Sequence, residues 1–284
     1  MFELTEYILR GALLGVTYGL LAFPVSLLFV TTGSVDVAIG AYAVLAAAVM
    51  YVVGGPAGAA LAIGSAIVAS MIVGVISMRL NRPGAVDHVI AVLGTFGLAT
   101  FLESFILTVF GTNPMILQPF DRFWNLAGIR LSPQLGINLV VCVVILALLF
   151  YILQRTPFGR AMRASAANPV GAVLNGIPVR RIWFATYVLG GVLAGIAGVL
   201  IVYTTGVDYS LAFTLTIWGF GSAIIFGMHS PLRGFAGGLI IGVVQALSAG
   251  YLPGAWATAA PFVFIFVILS MGRMNQIAAT GGRV

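Results

Sequence analysis

Two carboxylates stand inside long apolar stretches of this sequence, Asp36 in SVDVAIG and Glu103 in GLATFLESFILTVF. An ionisable side chain at the centre of a membrane helix costs about 2.5–3.5 kcal/mol on insertion scales, so each carboxylate needs a physical reason. Both could line a polar pathway, together with the hydroxyls of Thr31, Thr32 and Ser34 that precede Asp36. Structural roles are the alternative: a helix cap or bend for Asp36, interhelical pairing for Glu103, and bonds to their own helix for the hydroxyls.

The remaining polar residues offer little for catalysis or metal binding. All thirteen basic residues are arginines, so the chain has no lysine for a phosphate-binding P-loop or a Schiff base. His88 and His229 are far apart in sequence without a carboxylate at ligand spacing, and Cys142 is the only cysteine. We therefore predict no catalytic residues, no metal site, no intrachain disulfide and no cofactor bound by this chain.

The composition indicates that lipid surrounds most of the chain. Hydrophobic residues make up 61% of the 284 residues and charged residues only 7%, whereas a soluble domain carries about 25% charged residues. We predict an all-α integral membrane protein with one domain over residues 1–284, a polytopic bundle of about 8–10 transmembrane helices. Nine apolar runs are candidate spans: 7–30, 35–53, 57–78, 88–110, 135–154, 182–204, 209–228, 235–250 and 254–272.

The arginines predict the orientation of these spans. Segment 155–181 carries five arginines and no acidic residue, so the positive-inside rule places it in the cytoplasm. The loop 111–134 is then external, the N-terminus is outside and the C-terminus is cytoplasmic. Because the arginines lie at span ends, they indicate membrane topology, and we expect no nucleic-acid partner.

A short internal similarity points to an inverted repeat. The first run ends LLFVTTGSVD at 27–36, and the sixth ends LIVYTTGVD at 200–208. Under the predicted topology these two stretches end on opposite faces of the membrane, as an inverted repeat requires. A match this short also arises by chance, so the sequence leaves both explanations open.

The external loop 111–134 contains an aromatic and charged cluster that includes Phe120, Asp121 and Trp124. Aromatic side chains are common anchors of protein interfaces, which favours a docking surface for an external partner. The alternative is an interfacial segment that lies on the bilayer.

The cytoplasmic segment contains the pattern of one short helix at 168–176. Asn168 can cap its first N–H groups, Pro169 suits the first helical position, and Gly176 suits a left-handed stop. A helix of two turns is unstable alone, so either the ends of neighbouring spans or a partner must hold it. Its apolar side chains are Val170, Val173 and Leu174.

The block 156–200 resembles the permeases of branched-chain amino acid ABC importers. A TxxGRAxRA element is followed by an Ala-x-Leu-x-Gly-Ile segment and then by a span containing LAGxAG. The matching positions are Thr156, Gly159, Arg160, Ala161, Arg163, Ala164, Ala172, Leu174, Gly176, Ile177, Leu193, Ala194, Gly195, Ala197 and Gly198. One stretch departs from the pattern: Val35 to Gly40 stands where these permeases carry Asn-Phe-Ala-His-Gly, and its Asp-x-x-x-Gly is nearer to simple-sugar permeases.

The resemblance implies the membrane permease of a bacterial inner-membrane importer. Its partners would be a second permease subunit, identical or homologous, two cytoplasmic ATP-binding subunits that hold ATP and Mg²⁺, and an external solute-binding protein. The 168–176 helix would then dock in a groove of the ATP-binding subunit, flanked by Arg160 and Arg163 as rim charges or lipid-headgroup anchors.

Branched-chain amino acids are the first substrate that the resemblance implies, and urea, amides and simple sugars are the alternatives. A secondary transporter coupled through Glu103 or Asp36 is a second hypothesis, and an intramembrane enzyme is a third. The enzyme hypothesis lacks a visible pair of nucleophile and base.

Overall fold

The computed structural model describes residues 2–80, 88–118, 120, 124–126, 129–228 and 230–281. Eleven helices and two short strands form in this part of the chain. The helices are α1 (Phe2–Thr32), α2 (Ile39–Val53), α3 (Gly55–Leu80), α4 (His88–Phe110), α5 (Pro133–Arg155), α6 (Pro157–Ala167), α7 (Pro169–Leu174), α8 (Val179–Val202), α9 (Leu211–Ile225), α10 (Pro231–Tyr251) and α11 (Gly254–Gly281).

Each of the nine predicted apolar runs contains a helix, which confirms the polytopic helical fold. Within the described ranges, six helices are long and apolar enough to cross a membrane: α1, α3, α4, α5, α8 and α10. Three further apolar segments are shorter: Ile39–Val53, Leu211–Ile225 and Ala259–Met271. A helix of 15 residues such as α2 spans about 22 Å, less than the roughly 30 Å of hydrocarbon in a bilayer.

Two local elements correct the sequence-based expectation. The segment 155–181 was expected to be a loop with one short helix, but residues 157–167 form a second helix, α6. The Thr156 hydroxyl caps it by accepting from the Gly159 N–H, and Pro157 occupies its first turn. The strands β1 (Trp124–Leu126) and β2 (Ile129–Leu131) form a short antiparallel pair within the predicted external loop, and the helical fold class of the bundle is unchanged.

Glycines bring α1 and α10 into backbone contact. A Cβ added at Gly238 would collide with the backbone of Gly19, and one at Gly242 would collide with Gly11 and Gly15. The order of these contacts shows that the two helices are antiparallel. The four-residue spacing of Gly11, Gly15 and Gly19 in α1 allows this close helix approach.

A second antiparallel pair, α3 with α8, has the same character. A Cβ at Gly191 would collide with Ser70, and one at Gly195 would lie 3.0 Å from the Ala66 Cβ. Helix α2 packs on this pair, and a Cβ at Gly198 would collide with the Ala43 carbonyl. Most residues of α2 are buried, so this short helix forms the centre of the bundle.

The helix neighbours support the inverted repeat. Helix α1 packs on α10 as α8 packs on α3, and α2 packs on α8 and α3 as α9 packs on α1 and α10. Helices α1 and α8 are antiparallel, because Gly190 lies against Pro24 and Leu28 while Tyr187 reaches Thr32. The neighbour pattern of α1–α4 thus matches that of α8–α11, as expected for an inverted repeat with a pseudo-twofold axis in the membrane plane.

Candidate functional site

The chain between α1 and α2 crosses the interior of the bundle without regular structure, and we call residues 33–38 the first break. Gly33 adopts a left-handed conformation with φ 68° and ends α1. The Thr32 hydroxyl donates to the Leu28 carbonyl at 2.8 Å and accepts from the Ser34 N–H at 3.1 Å. Ser34 is buried, so the backbone leaves its helix within the protein core.

Asp36 directs the chain from the first break into α2. Its side chain is 1% exposed, and one carboxylate oxygen accepts from the Ala38 N–H at 2.9 Å. The other oxygen accepts from the Tyr42 hydroxyl at 3.1 Å. The predicted bend role of Asp36 is thereby confirmed, since the carboxylate binds a backbone N–H that the bend leaves free.

Two threonines from other helices hold the first break in place. The Thr95 hydroxyl of α4 accepts from the Val37 N–H at 3.2 Å. The Thr216 hydroxyl of α9 accepts from the Gly40 N–H and donates to the Val37 carbonyl, each at 3.0 Å. A buried backbone break needs such partners for its amide groups. Sequence reasoning missed both threonines, because each is one of several hydroxyl residues in an apolar helix.

Tyr187 completes a buried polar cluster beside the first break. Its hydroxyl lies 2.9 Å from the Ser77 hydroxyl, and the side chains of Ser34 and Thr32 also hydrogen-bond to it.

Thr31 lies apart from this cluster: its hydroxyl donates to the Leu27 carbonyl at 2.7 Å, and the residue lines a separate cavity with Met162 and Arg163. The back-bonded alternative is correct for the hydroxyls of Thr31 and Thr32.

Glu103 lies in a cleft of about 380 Å³ between α4 and α9, which we call the α4–α9 cleft. The cleft reaches the first break, because Val37 and Thr216 line one end of it. Its lining consists of Val37, Phe96, Ala99, Thr100, Glu103, Ala212, Phe213 and Thr216. The structure thus brings Thr32, Ser34 and Asp36 together and places Glu103 in the adjoining cleft.

The predicted short helix is confirmed as α7. The Asn168 side-chain oxygen accepts from the Gly171 N–H at 2.9 Å, Pro169 is the first helical residue, and Gly176 has φ 77°. Ala172 anchors α7 in a small apolar cluster with Val179 and Trp183. The chain's own helix α8 therefore supplies one support for α7.

The opposite side of α7 is open and apolar. Leu174 is 83% exposed, and Val170 and Val173 are about half exposed. On the adjacent helix α6, Arg160 and Arg163 are exposed, and the Arg163 guanidinium donates to the Leu153 carbonyl at the end of α5. The two helices together present an apolar tip flanked by guanidinium groups.

A family model described as branched-chain amino acid transport system / permease component matches residues 7–270. The chain belongs to this family. The resemblance read from residues 156–200 is thereby confirmed over nearly the whole sequence. The protein is an ABC permease subunit and a multi-pass protein of the bacterial inner membrane.

Individual relatives show the range of the family. The permease is 28% identical to the high-affinity branched-chain amino acid transport system permease protein LivH of Escherichia coli K12, covering 93% of this chain and 92% of LivH. It is 27% identical to the nucleoside ABC transporter permease protein NupC of Lactococcus lactis, covering 68% of this chain and 66% of NupC. Because a nucleoside permease is among these relatives, similarity alone does not decide which solute this permease carries.

A solved structure supports the fold. The permease superposes on a chain of PsaBC from Streptococcus pneumoniae in complex with Fab with a TM-score of 0.53. The sequences are 15% identical, and the match covers 93% of the permease and 90% of that chain. At this identity the likeness concerns the helical architecture alone.

The loop between α4 and α5 is tied to the segment after α8. Met115 and Val207 exchange two backbone hydrogen bonds of 2.8 and 2.9 Å, and the Leu117 N–H donates to the Val202 carbonyl. Of the predicted docking residues, Phe120 is exposed, Trp124 lies in β1 opposite Leu131, and Asp121 lies outside the described residues. Their role in docking stays a prediction.

Proposed function

We propose that this permease imports branched-chain amino acids, delivered by an external solute-binding protein and driven by two cytoplasmic ATP-binding subunits. Two copies, or this chain and a homologous permease, would form the membrane core. Family membership and the 28% identity to LivH over 93% of the chain support the substrate class. The absence of lysine supports ATP and Mg²⁺ binding by partner subunits, because a P-loop needs its lysine.

The exposed apolar tip of α7 carries the proposal that ATP hydrolysis is coupled through this loop. Leu174, Val170 and Val173 face away from the bundle, although α7 is already anchored by Ala172. An apolar helix face that is left open at the end of a bundle suits a groove on a partner protein. Arg160 and Arg163 would form the charged rim of that contact, and Asn168, Pro169 and Gly176 would fix the shape of the helix.

The pathway in this proposal passes the buried polar cluster and the α4–α9 cleft. Asp36, Ser34 and Thr32 give the cluster its polar groups, Thr31 lies one residue before it, and Glu103 gives the cleft its charge. External docking would involve Phe120, Asp121 and Trp124. Urea, amides, simple sugars and nucleosides are the alternative solutes.

The coupling proposal is tested by replacing Leu174→Asp in the assembled transporter. A carboxylate buried in the contact would lack a partner, and an uncompensated buried charge is strongly destabilising. We expect co-purification of the ATP-binding subunit to fall at least about tenfold, which corresponds to roughly 1.4 kcal/mol of lost binding free energy.

Leu232→Asp is the matched control. Leu232 is an exposed leucine at the same end of the bundle, since it lines one cavity with Arg163, and it lies in the first turn of α10. A carboxylate there meets the positive end of a helix dipole, so this variant should keep its ATP-binding subunit. If Leu174→Asp assembles and takes up leucine like the control, α7 is not the coupling helix.

A further inference from the structure

The α4–α9 cleft has the size and composition of a small-ligand site. Its volume of about 380 Å³ falls within the roughly 300–1,000 Å³ of typical ligand pockets. Phe96 and Phe213 form an aromatic wall, with ring centroids 6.4 Å apart in an edge-to-face arrangement. The polar groups of the lining are the Glu103 carboxylate and the hydroxyls of Thr100 and Thr216, which come from the same two helices as the aromatic rings.

The two acidic residues in the apolar part of the sequence differ in their partners. Asp36 is buried and binds Ala38 and Tyr42. Glu103 is half-buried, and within the described ranges its carboxylate forms no hydrogen bond or ion pair. A carboxylate at membrane depth is costly when lipid surrounds it. Glu103 must therefore be surrounded by water, by a solute or by protein.

We propose that the α4–α9 cleft binds the ammonium group of the transported solute, with the Glu103 carboxylate as its counterion. This inference rests on the proposed import function and specifies its substrate class. An ammonium group beside Glu103 would place an aliphatic side chain against Phe96, Phe213 and Ala99. A sugar, urea or an uncharged nucleoside brings no cation to this carboxylate, so the charge of the cleft favours a solute with an ammonium group over those alternatives.

The position of the cleft connects it to the first break. Thr216 lines the cleft and also binds both Val37 and Gly40 in the first break. A solute held at Glu103 therefore lies next to the backbone that joins α1 to α2. The Thr216 hydroxyl therefore belongs both to the lining of the cleft and to the contacts that hold the first break.

The test measures uptake of radiolabelled leucine by the complete transporter with its binding protein, reconstituted in phosphatidylcholine and phosphatidylglycerol vesicles. Neither lipid carries a primary ammonium, so a lipid amine is not the ligand in this assay. Glu103→Gln should lower uptake at least about tenfold, because it removes a charge-assisted hydrogen bond. Glu103→Asp keeps the charge and should retain a larger share of the uptake.

Ser104→Ala is the matched control, because Ser104 is the next residue on α4 and does not line the cleft. It should transport like the unmodified protein. If the unmodified transporter takes up no leucine, the proposed function fails. If it does and Glu103→Gln stays within twofold of it, the function stands and the ammonium site is wrong.

A chemical rescue separates charge from shape. In a Cys142→Ala background, Glu103→Cys would be modified with an anionic sulfonatoethyl thiosulfonate or with a cationic trimethylammonium analogue. The anionic reagent should restore a measurable share of leucine uptake, and the cationic reagent should not. An equal response to both reagents would overturn the role of the negative charge.

Discussion

The same short sequence breaks the backbone at two places in this permease, with different consequences. The first break begins at the glycine of Thr31-Thr32-Gly33, and the second, residues 204–210, contains Thr204-Thr205-Gly206. The glycines have φ 68° and 72°. In each, an aspartate accepts the N–H two residues further on, Ala38 for Asp36 at 2.9 Å and Ser210 for Asp208 at 2.8 Å. Each break is followed by an apolar helix of 15 residues.

The surroundings of the two breaks differ. Asp36 is buried, and its second oxygen binds the Tyr42 hydroxyl beside the Tyr187–Ser77 pair. Asp208 is half-buried, and its carboxylate oxygen binds the Ser210 hydroxyl at 2.6 Å on the exposed side. Similar local geometry therefore occurs in both halves, whereas only the first of the two aspartates is buried within the protein core. The two breaks therefore differ in their tertiary surroundings rather than in their local sequence.

The largest expected difference between the breaks comes from removing each aspartate. Asp36→Ala leaves the Ala38 N–H and the Tyr42 hydroxyl buried without an acceptor, at about 1–3 kcal/mol for each group. Asp208→Ala removes bonds near the surface, where water replaces them, and should cost about 1 kcal/mol or less. Thermal unfolding of the purified transporter in detergent measures both changes.

Asp36→Asn keeps an acceptor for Ala38 and serves as the control for size. It should be far more stable than Asp36→Ala. Equal destabilisation by Asp36→Ala and Asp208→Ala would contradict the distinction between a buried and a surface break.

A smaller effect should distinguish the threonines at the two breaks. Thr216→Val removes the hydroxyl that binds Val37 and Gly40, so a buried backbone N–H loses its partner at about 1–3 kcal/mol. Thr204→Val removes only bonds to the Leu200 and Ile201 carbonyls of its own helix, at about 0.5 kcal/mol or less. The same unfolding assay, together with leucine uptake, compares the two variants.

Leucine uptake should differ more between Thr216→Val and Thr204→Val than the free energy of unfolding does, because Thr216 also lines the α4–α9 cleft. Thr216→Ser, which keeps the hydroxyl, should restore uptake. If Thr204→Val impairs uptake as much as Thr216→Val, the proposed special role of Thr216 in transport is contradicted.

The smallest expected effect on stability belongs to a labelling test of the predicted orientation in the membrane. Its substitutions are at exposed positions, where they change the free energy of unfolding by about 0.5 kcal/mol or less. The predicted orientation places Ser210 outside and α7 in the cytoplasm. Both Ser210 and Asn175 are exposed. In a Cys142→Ala background, an impermeant thiol reagent added outside intact cells should label Ser210→Cys and not Asn175→Cys. Labelling in the reverse order would invert the topology.

Ser165 is unsuitable for that experiment, although the sequence alone places it in the cytoplasmic segment. It is fully buried, and its hydroxyl donates to the Met162 carbonyl within α6. A cysteine there would escape labelling from either side. The example shows why burial has to be known before accessibility is used to determine orientation.

Local signals predicted several parts of the fold well. Asn168, Pro169 and Gly176 mark both ends of α7 because capping and left-handed turns depend on a few adjacent residues. Thr156-Pro157 is an equally local signal for the start of α6, since the threonine caps the helix and the proline occupies its first turn.

The sequence by itself determined that this chain is a multi-span helical membrane protein, where α7 begins and ends, and which family block its cytoplasmic segment carries. Hydropathy, glycine stops and capping residues act over a few residues, so they can be read along the chain. Only the tertiary structure decided that the first break is buried, that Thr95 and Thr216 hold it, and that Glu103 lines a cleft beside it. These relations join residues up to 179 positions apart, and they exist only when packing between helices brings those residues together.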